Sequence, residues 1–373
     1  MTEPHRAWLR DCWYVIAWDH EIPAADAPRE VPLFRRVVLE APILVYRLED
    51  GGFAAMEDRC CHRHAPLSQG RREGDSVRCG YHGLMFDARG RCVDAPGLAA
   101  IPPKACVRTY PVAVRNRWIF VWMGEPARAD PALLPDNFSC DHPDWLNRPG
   151  YLHYDAPYLL ICDNLLDFSH LSYVHESSLG GTTKIAHSRP DLAPVPGPTA
   201  DWPQLGIRVT RHVPDVPAPP YYQRFGRFDT NLDRWFDYEF LLPGTLLMHS
   251  GGRPTGDASG ANEVRLHSCQ TLTPETAGTT HYFFQQSHPA DMGGASTTAS
   301  IYDSLVRAFE EDRAMITAQH RNIAFAPDAP MLPLAMDAAL LQFRRLLGQR
   351  LEIEHARRTP PSTPRAPASR DPA

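Results

Sequence analysis

The chain has 373 residues, 22% charged and 43% hydrophobic, with a formal net charge of −6; this is room for two or three soluble domains. Its Lys and Arg residues form no block of the kind that binds nucleic acid, and no run approaches the ~18 apolar residues that span a bilayer, so neither partner is expected. The start, Met1-Thr2-Glu3-Pro4, lacks the basic residues and apolar run of a secretory signal, and nine cysteines in an odd-numbered set argue against a disulfide framework, so a cytoplasmic protein is expected.

Residues 1–125 read as β-rich. Short runs at Ile43–Leu48, Phe53–Glu57 and Trp118–Trp122 are separated by Gly, Pro and Asp, and Glu49-Asp50-Gly51-Gly52 suits a hairpin turn. Residues 126–150, rich in Pro, Asp and Asn, read as a connection. From 151 to 350 the pattern changes: Leu159–His175 has apolar residues at helical spacing, and Ser177–Pro220 reads as a loop with nine prolines between 190 and 220. Strands are expected at Gly206–Val213, Trp235–Leu242, Glu263–Leu272 and Thr280–Gln286. A long helix is expected over 300–325, where Ile301, Leu305, Phe309, Ile316 and Ile323 share a face. Residues 351–373, ending in a Pro-rich stretch, are expected to be a disordered tail.

Two constellations carry chemistry. The first is Cys60-x-His62, then Cys79-x-x-His82. Two thiolates and two imidazoles on paired loops suit a [2Fe–2S] cluster in which Cys holds one iron and His the other. The flanking Gly80 and Gly83 let the backbone turn and approach the sulfides. A structural zinc site is the alternative, although zinc ligands usually come as Cys-x2–4-Cys and His-x3–5-His pairs. The second is Asn164-x-x-Asp167-x-x-His170-x4-His175. Two imidazoles and a carboxylate can hold Fe(II) with open positions for O2 and substrate. Asp167 and His170 would share a helix face, but His170 and His175 would point roughly 140° apart on an ideal helix, so the helix must bend or end there.

Cys-x-His-Arg-x-x-Pro-Leu-Ser (Cys60–Ser68) with Cys-x-Tyr-His-Gly-x-x-Phe (Cys79–Phe86) resembles the Rieske domain of non-heme iron aromatic oxygenases. Ala65 and Tyr81 stand where respiratory Rieske proteins carry a disulfide. The resemblance implies an α+β chain: an all-β Rieske domain followed by a helix-grip domain, an antiparallel sheet around a helix. It makes Cys60, His62, Cys79 and His82 the cluster ligands and His170 and His175 mononuclear iron ligands. It places Asp167 between an iron-ligating His and a cluster-ligating His of a neighbouring subunit, with Asn164 near the iron. By the same resemblance Asp312, in Glu310-Glu311-Asp312-Arg313, supplies the third ligand, with Glu311 as the fallback.

Cys12-Trp13-Tyr14-Val15, Leu272-Thr273-Pro274-Glu275-Thr276 and His281-Tyr282-Phe283-Phe284 are most similar to the vanillate and dicamba O-demethylase branch, whose members are homotrimers. That branch implies oxidative O-demethylation or hydroxylation of an aromatic, carboxylated substrate; ring hydroxylation and N-demethylation are the alternatives. Candidate substrate contacts are His249, Gln270 and Gln285. No Gly-rich nucleotide fingerprint follows a strand, so electrons must come from a separate NAD(P)H-dependent reductase, with flavin and a ferredoxin domain as one form. A pure electron-transfer Rieske protein would need neither the further ~220 residues nor the second His/His/Asp set, and a zinc-stabilised binding protein would be colourless.

Overall fold

The computed structural model describes residues 8–358 apart from 29, 227 and 261. Strands Ala41–Arg47 and Phe53–Glu57 pair across the expected turn. Gly51 there sits at φ +88°, and the Asp50 carboxylate accepts the Gly52 N–H at 2.8 Å, which is what an Asp-Gly turn supplies. Phe34–Val38 and Thr109–Tyr110 complete a four-stranded sheet. A second one is built from Arg71–Glu73, Ser76–Arg78, Met85–Phe86 and Cys92–Asp94. Leu44, Met56, Leu67, Val77 and Phe86 form their common core, which also buries Cys60 and Cys79.

A third sheet, Trp13–Trp18 with Trp118–Trp122 and Val112–Arg115, belongs to the larger core of the second half. Trp18 Nε1 donates to Gly150 O and Thr273 Oγ1 to Val15 O, stitching the two halves together.

The second half is an eight-stranded antiparallel sheet. Its path runs Trp145–Asn147, Thr279–Pro289, Val264–Thr276, Thr245–Pro254, Leu232–Leu241, Trp202–Val216 and Asp191–Thr199, with Gly150–Tyr154 also pairing to Thr279–Pro289. Among the described residues five helices accompany it: α1 Tyr158–Leu166, α2 Thr183–His187, α3 Pro220–Gly226, α4 Ala295–Ile323 and α5 Ala338–Arg358. Helix α1 lies against Val264–Thr276, α4 against Thr279–Pro289, and α5 against Trp202–Val216. This is the expected all-β unit followed by an antiparallel sheet with helices.

Four local expectations need correction. The segment 177–220 is not a loop: after α2 it forms two long strands. Asp191–Thr199, carrying Pro194, Pro196 and Pro198, is the sheet's edge, where a missing N–H breaks no ladder. The connection 126–150 already contains Trp145–Asn147, paired to Ser287–Pro289. The helix expected over 159–175 stops at Leu166. Residues 351–358 are not tail but the end of α5; 359–373 lie outside the described residues. The tail reading failed because the buried face of α5 runs Phe343, Leu346 and Leu347 and then turns charged at Arg350 and Glu354. Glu354 accepts the N–H groups of Arg10 and Asp11, and Arg350 stacks on Trp202.

Candidate metal centres

The first constellation sits on two loops with the same hydrogen-bond pattern. Cys60 N–H donates to Ala65 O and His64 N–H to Cys60 O; Cys79 N–H donates to Leu84 O and Gly83 N–H to Cys79 O. Each loop therefore needs a left-handed residue four positions after its cysteine. His64 (φ +57°) fills that place in one and Gly83 (φ +78°) in the other. Gly80 serves a different purpose from the one expected: a Cβ there would lie 2.8 Å from Gln69 O, so it permits the loops to abut. Asp58, buried, accepts the N–H and Oγ–H of Ser68 and pairs with Arg35, bracing the base of the first loop.

Cys60 and Cys79 are buried side by side, whereas His62 and His82 are exposed with ring centroids 4.6 Å apart. Burial, with the neighbouring Cys79, pushes the Cys60 thiol up to about 11, so its thiolate needs a cation beside it. A buried sulfur pair facing a solvent-edge imidazole pair is a donor set that fits a [2Fe–2S] cluster with one Cys-held and one His-held iron. All nine cysteines are free, consistent with Ala65 and Tyr81 at the disulfide positions.

The second constellation forms because α1 ends. Asp167 leaves the helix (φ −121°, ψ 98°), and Phe168–Ser172 make a 3-10 turn. That break brings the His170 and His175 rings to 5.2 Å. Gly181 holds the following loop in place: its N–H donates to His175 O, and a Cβ on it would lie 1.6 Å from Leu171 O.

Asp312 comes from α4, on the buried stripe of Ile301, Leu305, Phe309 and Ile316. Its Oδ1 lies 3.1 Å from His175 Nε2 and 3.6 Å from His170 Nε2, and accepts from Asn164 Nδ2 at 3.0 Å. Ligand atoms of His170, His175 and Asp312 all fall within 4.8 Å of one another. Two atoms each ~2.1 Å from one ion at right angles are about 3 Å apart, so this trio fits the facial two-His, one-carboxylate set.

Glu311 points to the other side of His175: its Oε2 is 2.8 Å from His175 Nδ1 and accepts Ser178 Oγ–H at 2.6 Å. Burial lowers the pKa of His170. At His175 burial also acts downward, but the bonds to Asp312 and Glu311 outweigh it and raise the pKa. Asp167 meets His170 through its main chain. Its carboxylate accepts the N–H and Oγ–H of Ser169, and it is the Asp167 main-chain carbonyl, 2.5 Å away, that accepts from His170 Nδ1.

His170, His175, Asp312 and Asn164 line one cavity of about 580 Å³ out to its mouth. Its apolar walls include Leu165, Phe168, Leu171, Phe236, Met248, Leu305 and Phe309, and its polar ones Ser250, Ser268, Gln270, Gln286 and Arg234. Gln270 is thus placed in the cavity, with its Oε1 accepting from Tyr282. His249 and Gln285 are not. His249 is outward-facing, stacked with Phe138 and paired with His267; Gln285 contacts Cys269 and Ser287. Successive strand residues face opposite sides, so Met248, Ser250 and Gln286 hold the inward positions instead.

Residues 12–111 match the Rieske [2Fe-2S] domain and residues 154–352 the vanillate O-demethylase oxygenase C-terminal domain; the chain belongs to the Rieske non-heme iron oxygenases. It is 43% identical to the toluene-4-sulfonate monooxygenase system iron-sulfur subunit of Comamonas testosteroni, over 94% of this chain and 99% of that one. It is 32% identical to the dicamba O-demethylase oxygenase component of Stenotrophomonas maltophilia, over 93% and 99%. The crystal structure of dicamba monooxygenase bound to 3,6-dichlorosalicylic acid superposes with a TM-score of 0.82 at 29% identity, covering 93% of this chain and 98% of that one. The protein is therefore the terminal oxygenase of a multicomponent Rieske monooxygenase system, with a [2Fe–2S] cluster and a mononuclear iron as cofactors and a separate reductase as electron donor.

Proposed function

We propose that this oxygenase O-demethylates or hydroxylates a small aromatic acid in the cavity shared by His170, His175 and Asp312. The single observation carrying this reading is the composition of that cavity: its polar lining is the trio, Asn164, Tyr221 and a few Ser, Gln and Arg side chains, and the other lining residues are Leu, Phe and Met. Such a lining holds a flat apolar ring and excludes water, while the polar groups fix its orientation. Cys60, His62, Cys79 and His82 hold the cluster, and His170, His175 and Asp312 the mononuclear iron, which when bound supplies O2 activation using two reductase-derived electrons.

The chain's own residues then have defined tasks. Asp167 O keeps the Nδ1 proton of His170 away from the cavity, and Glu311 does the same for His175, so both Nε2 lone pairs face inward. Asn164 holds Asp312 Oδ1 in place. Gln270 and Gln286 offer hydrogen bonds to a ring substituent.

The net reactions are ArOCH3 + O2 + 2e− + 2H+ → ArOH + HCHO + H2O, or ArCH3 + O2 + 2e− + 2H+ → ArCH2OH + H2O. The relatives act, by name, on toluene-4-sulfonate, vanillate and dicamba, which supports an aromatic acid here.

A homotrimer follows from the same reading. In it one subunit's His62/His82 edge would face the next subunit's Asp167, and two exposed faces support this: Tyr81 beside the cluster loops is 61% exposed and Tyr173 beside His170 is 69% exposed. Nine free cysteines suit the cytoplasm, where reduced nicotinamide is at hand. Among the described residues no helix is long and apolar enough to cross a membrane.

The test is oxygen uptake with product analysis, using the purified chain, a phthalate-type flavin and ferredoxin reductase, and 4-toluenesulfonate, 4-methylbenzoate and vanillate. Formation of formaldehyde or a benzyl alcohol in step with oxygen uptake is expected. Uptake with none of these acids altered would overturn the aromatic-acid reading. Light scattering at the mass of one chain would overturn the trimer.

A further inference from the structure

The strand Leu232–Leu241 sends Leu232, Arg234, Phe236, Tyr238 and Phe240 inward, and all five are buried. Four are the apolar and aromatic residues that a buried strand face needs, and Phe236 among them lines the cavity. The fifth is a permanent cation, 2% exposed, lining the same cavity as the His/His/Asp trio. Burying a guanidinium without a counter-charge is costly, and among the described residues no carboxylate forms an ion pair with it.

Its partners are neutral. One terminal nitrogen donates to Gly180 O at 3.1 Å, Tyr221 hydrogen-bonds it, and Tyr222 and Phe236 present their rings 5.4 and 5.1 Å from its central carbon. Its Nε–H is buried with no hydrogen-bond partner. Room for the side chain is provided across the ladder by Gly252, where a Cβ would lie 3.2 Å from Leu232 and Tyr222 and 3.5 Å from Arg234 Cγ. The contrast with Arg211 on the neighbouring strand is informative. It is equally buried but does not line the cavity, and its guanidinium is spent on Ile185 O and Ser188.

We propose that Arg234 is the anion anchor of the substrate pocket: its guanidinium pairs with the sulfonate or carboxylate of the aromatic substrate and so fixes which end of the ring faces His170, His175 and Asp312. This deepens the aromatic-acid reading and rests on it. A fork of N–H groups matches either anion in geometry, and desolvation strengthens the pair.

The probes are 4-toluenesulfonate and its uncharged isostere 4-toluenesulfonamide, titrated calorimetrically into the full-length, iron-loaded protein under anaerobic conditions. Wild type should bind the sulfonate at least about 10-fold more tightly than the sulfonamide. Arg234→Met should lose about 10- to 100-fold in sulfonate affinity while sulfonamide affinity stays within threefold, and Arg234→Lys should recover part of the loss. Equal binding of the two probes by wild type overturns the proposal whether or not the variants fold. A parallel fall for both probes in a folded Arg234→Met also overturns it, since it would mean that Arg234 only braces the Gly180 loop. The two readings fail separately. Tight sulfonate binding without oxygenation of any acid removes the proposed reaction and leaves the anchor, whereas oxygenation of acids with no Arg234 dependence removes the anchor and leaves the reaction.

Discussion

Glu311 and Asp312 are adjacent on α4 and touch opposite edges of one imidazole, so their substitutions should separate a ligand from a positioning residue. The Glu311 carboxylate accepts from His175 Nδ1 at 2.8 Å and from Ser178 at 2.6 Å, and its side chain is 28% exposed. It fixes the tautomer that leaves His175 Nε2 free and makes that nitrogen more basic. Removing such a partner typically costs 10- to 100-fold in metal affinity, or about 1.4–2.7 kcal/mol. Glu311→Ala should fall in that range. Glu311→Gln, which keeps an acceptor oxygen but loses the charge, should lose less. The assay is chelator competition for Fe(II), with the visible spectrum of the cluster and the melting temperature as controls for folding. If Glu311→Ala holds iron as tightly as wild type, the positioning role is wrong. If it loses iron as completely as Asp312→Ala, Glu311 is itself a ligand and the assignment of Asp312 needs revision.

Asp312→Ala should drop iron from three to two per chain, with acid-labile sulfide and visible absorption retained; metal and sulfide analysis checks this against Cys60→Ser, which should lose the cluster colour altogether. Gly181→Ala forces a Cβ against Leu171 O and should cost about 1–3 kcal/mol in chemical denaturation, together with mononuclear iron, because the displaced loop carries His175. His267 is buried, hydrogen-bonded to Ser139 through Nδ1, and pushed down to about 3, chiefly by burial and also by His249. Its folded pKa lies below the unfolded value near 6.5, so the unfolded chain takes up the proton first. The stability it contributes is intact above pH ~6.5 and lost as pH falls towards 3, about 2 kcal/mol of it by pH 5. Denaturation at pH 7.5 and 5.0 should show a smaller acid loss in His267→Gln than in wild type, and equal losses would refute this account.

What could be read from the sequence follows from how local each feature is. The cluster loops are two short segments whose donors and turn residues are contiguous, so Cys60–His62 and Cys79–His82 stood out at once. Asp312 was legible only through the resemblance of Glu310-Glu311-Asp312-Arg313 to the family's segment; that it, and not Glu311, lies on the buried stripe of α4 is a result of the fold. The requirement that the helix after Leu159 break before His175 followed from geometry alone, though the break itself, at Asp167, did not. The side of the sheet occupied by His249 and Gln285 was not legible. Val264–Thr276 and Thr279–Pro289 are buried on nearly every residue, because the 137–147 segment covers the face away from the cavity, with Phe138 against His249 and His267 and Asn137 against Cys269. With both faces covered, polar and apolar residues no longer alternate, and the strand phase that separates Gln285 from Gln286 leaves no trace in the pattern.

Leu232–Leu241 is the instructive exception. Its outer face remains partly exposed, with Asp233, Asp237 and Glu239 alternating against the buried residues, so its phase can be read directly as Leu-x-Arg-x-Phe-x-Tyr-x-Phe. An arginine on the apolar side of so regular a strand is a contradiction that the fold alone does not resolve: tertiary structure supplies it with a carbonyl, a phenol and aromatic faces but no opposite charge. The trio contributes a single carboxylate, Asp312, already engaged by His175 and Asn164. The cavity therefore keeps one cation reserved in its wall and one carboxylate committed to the metal centre, an asymmetry that favours an anionic guest and turns its other end towards the iron.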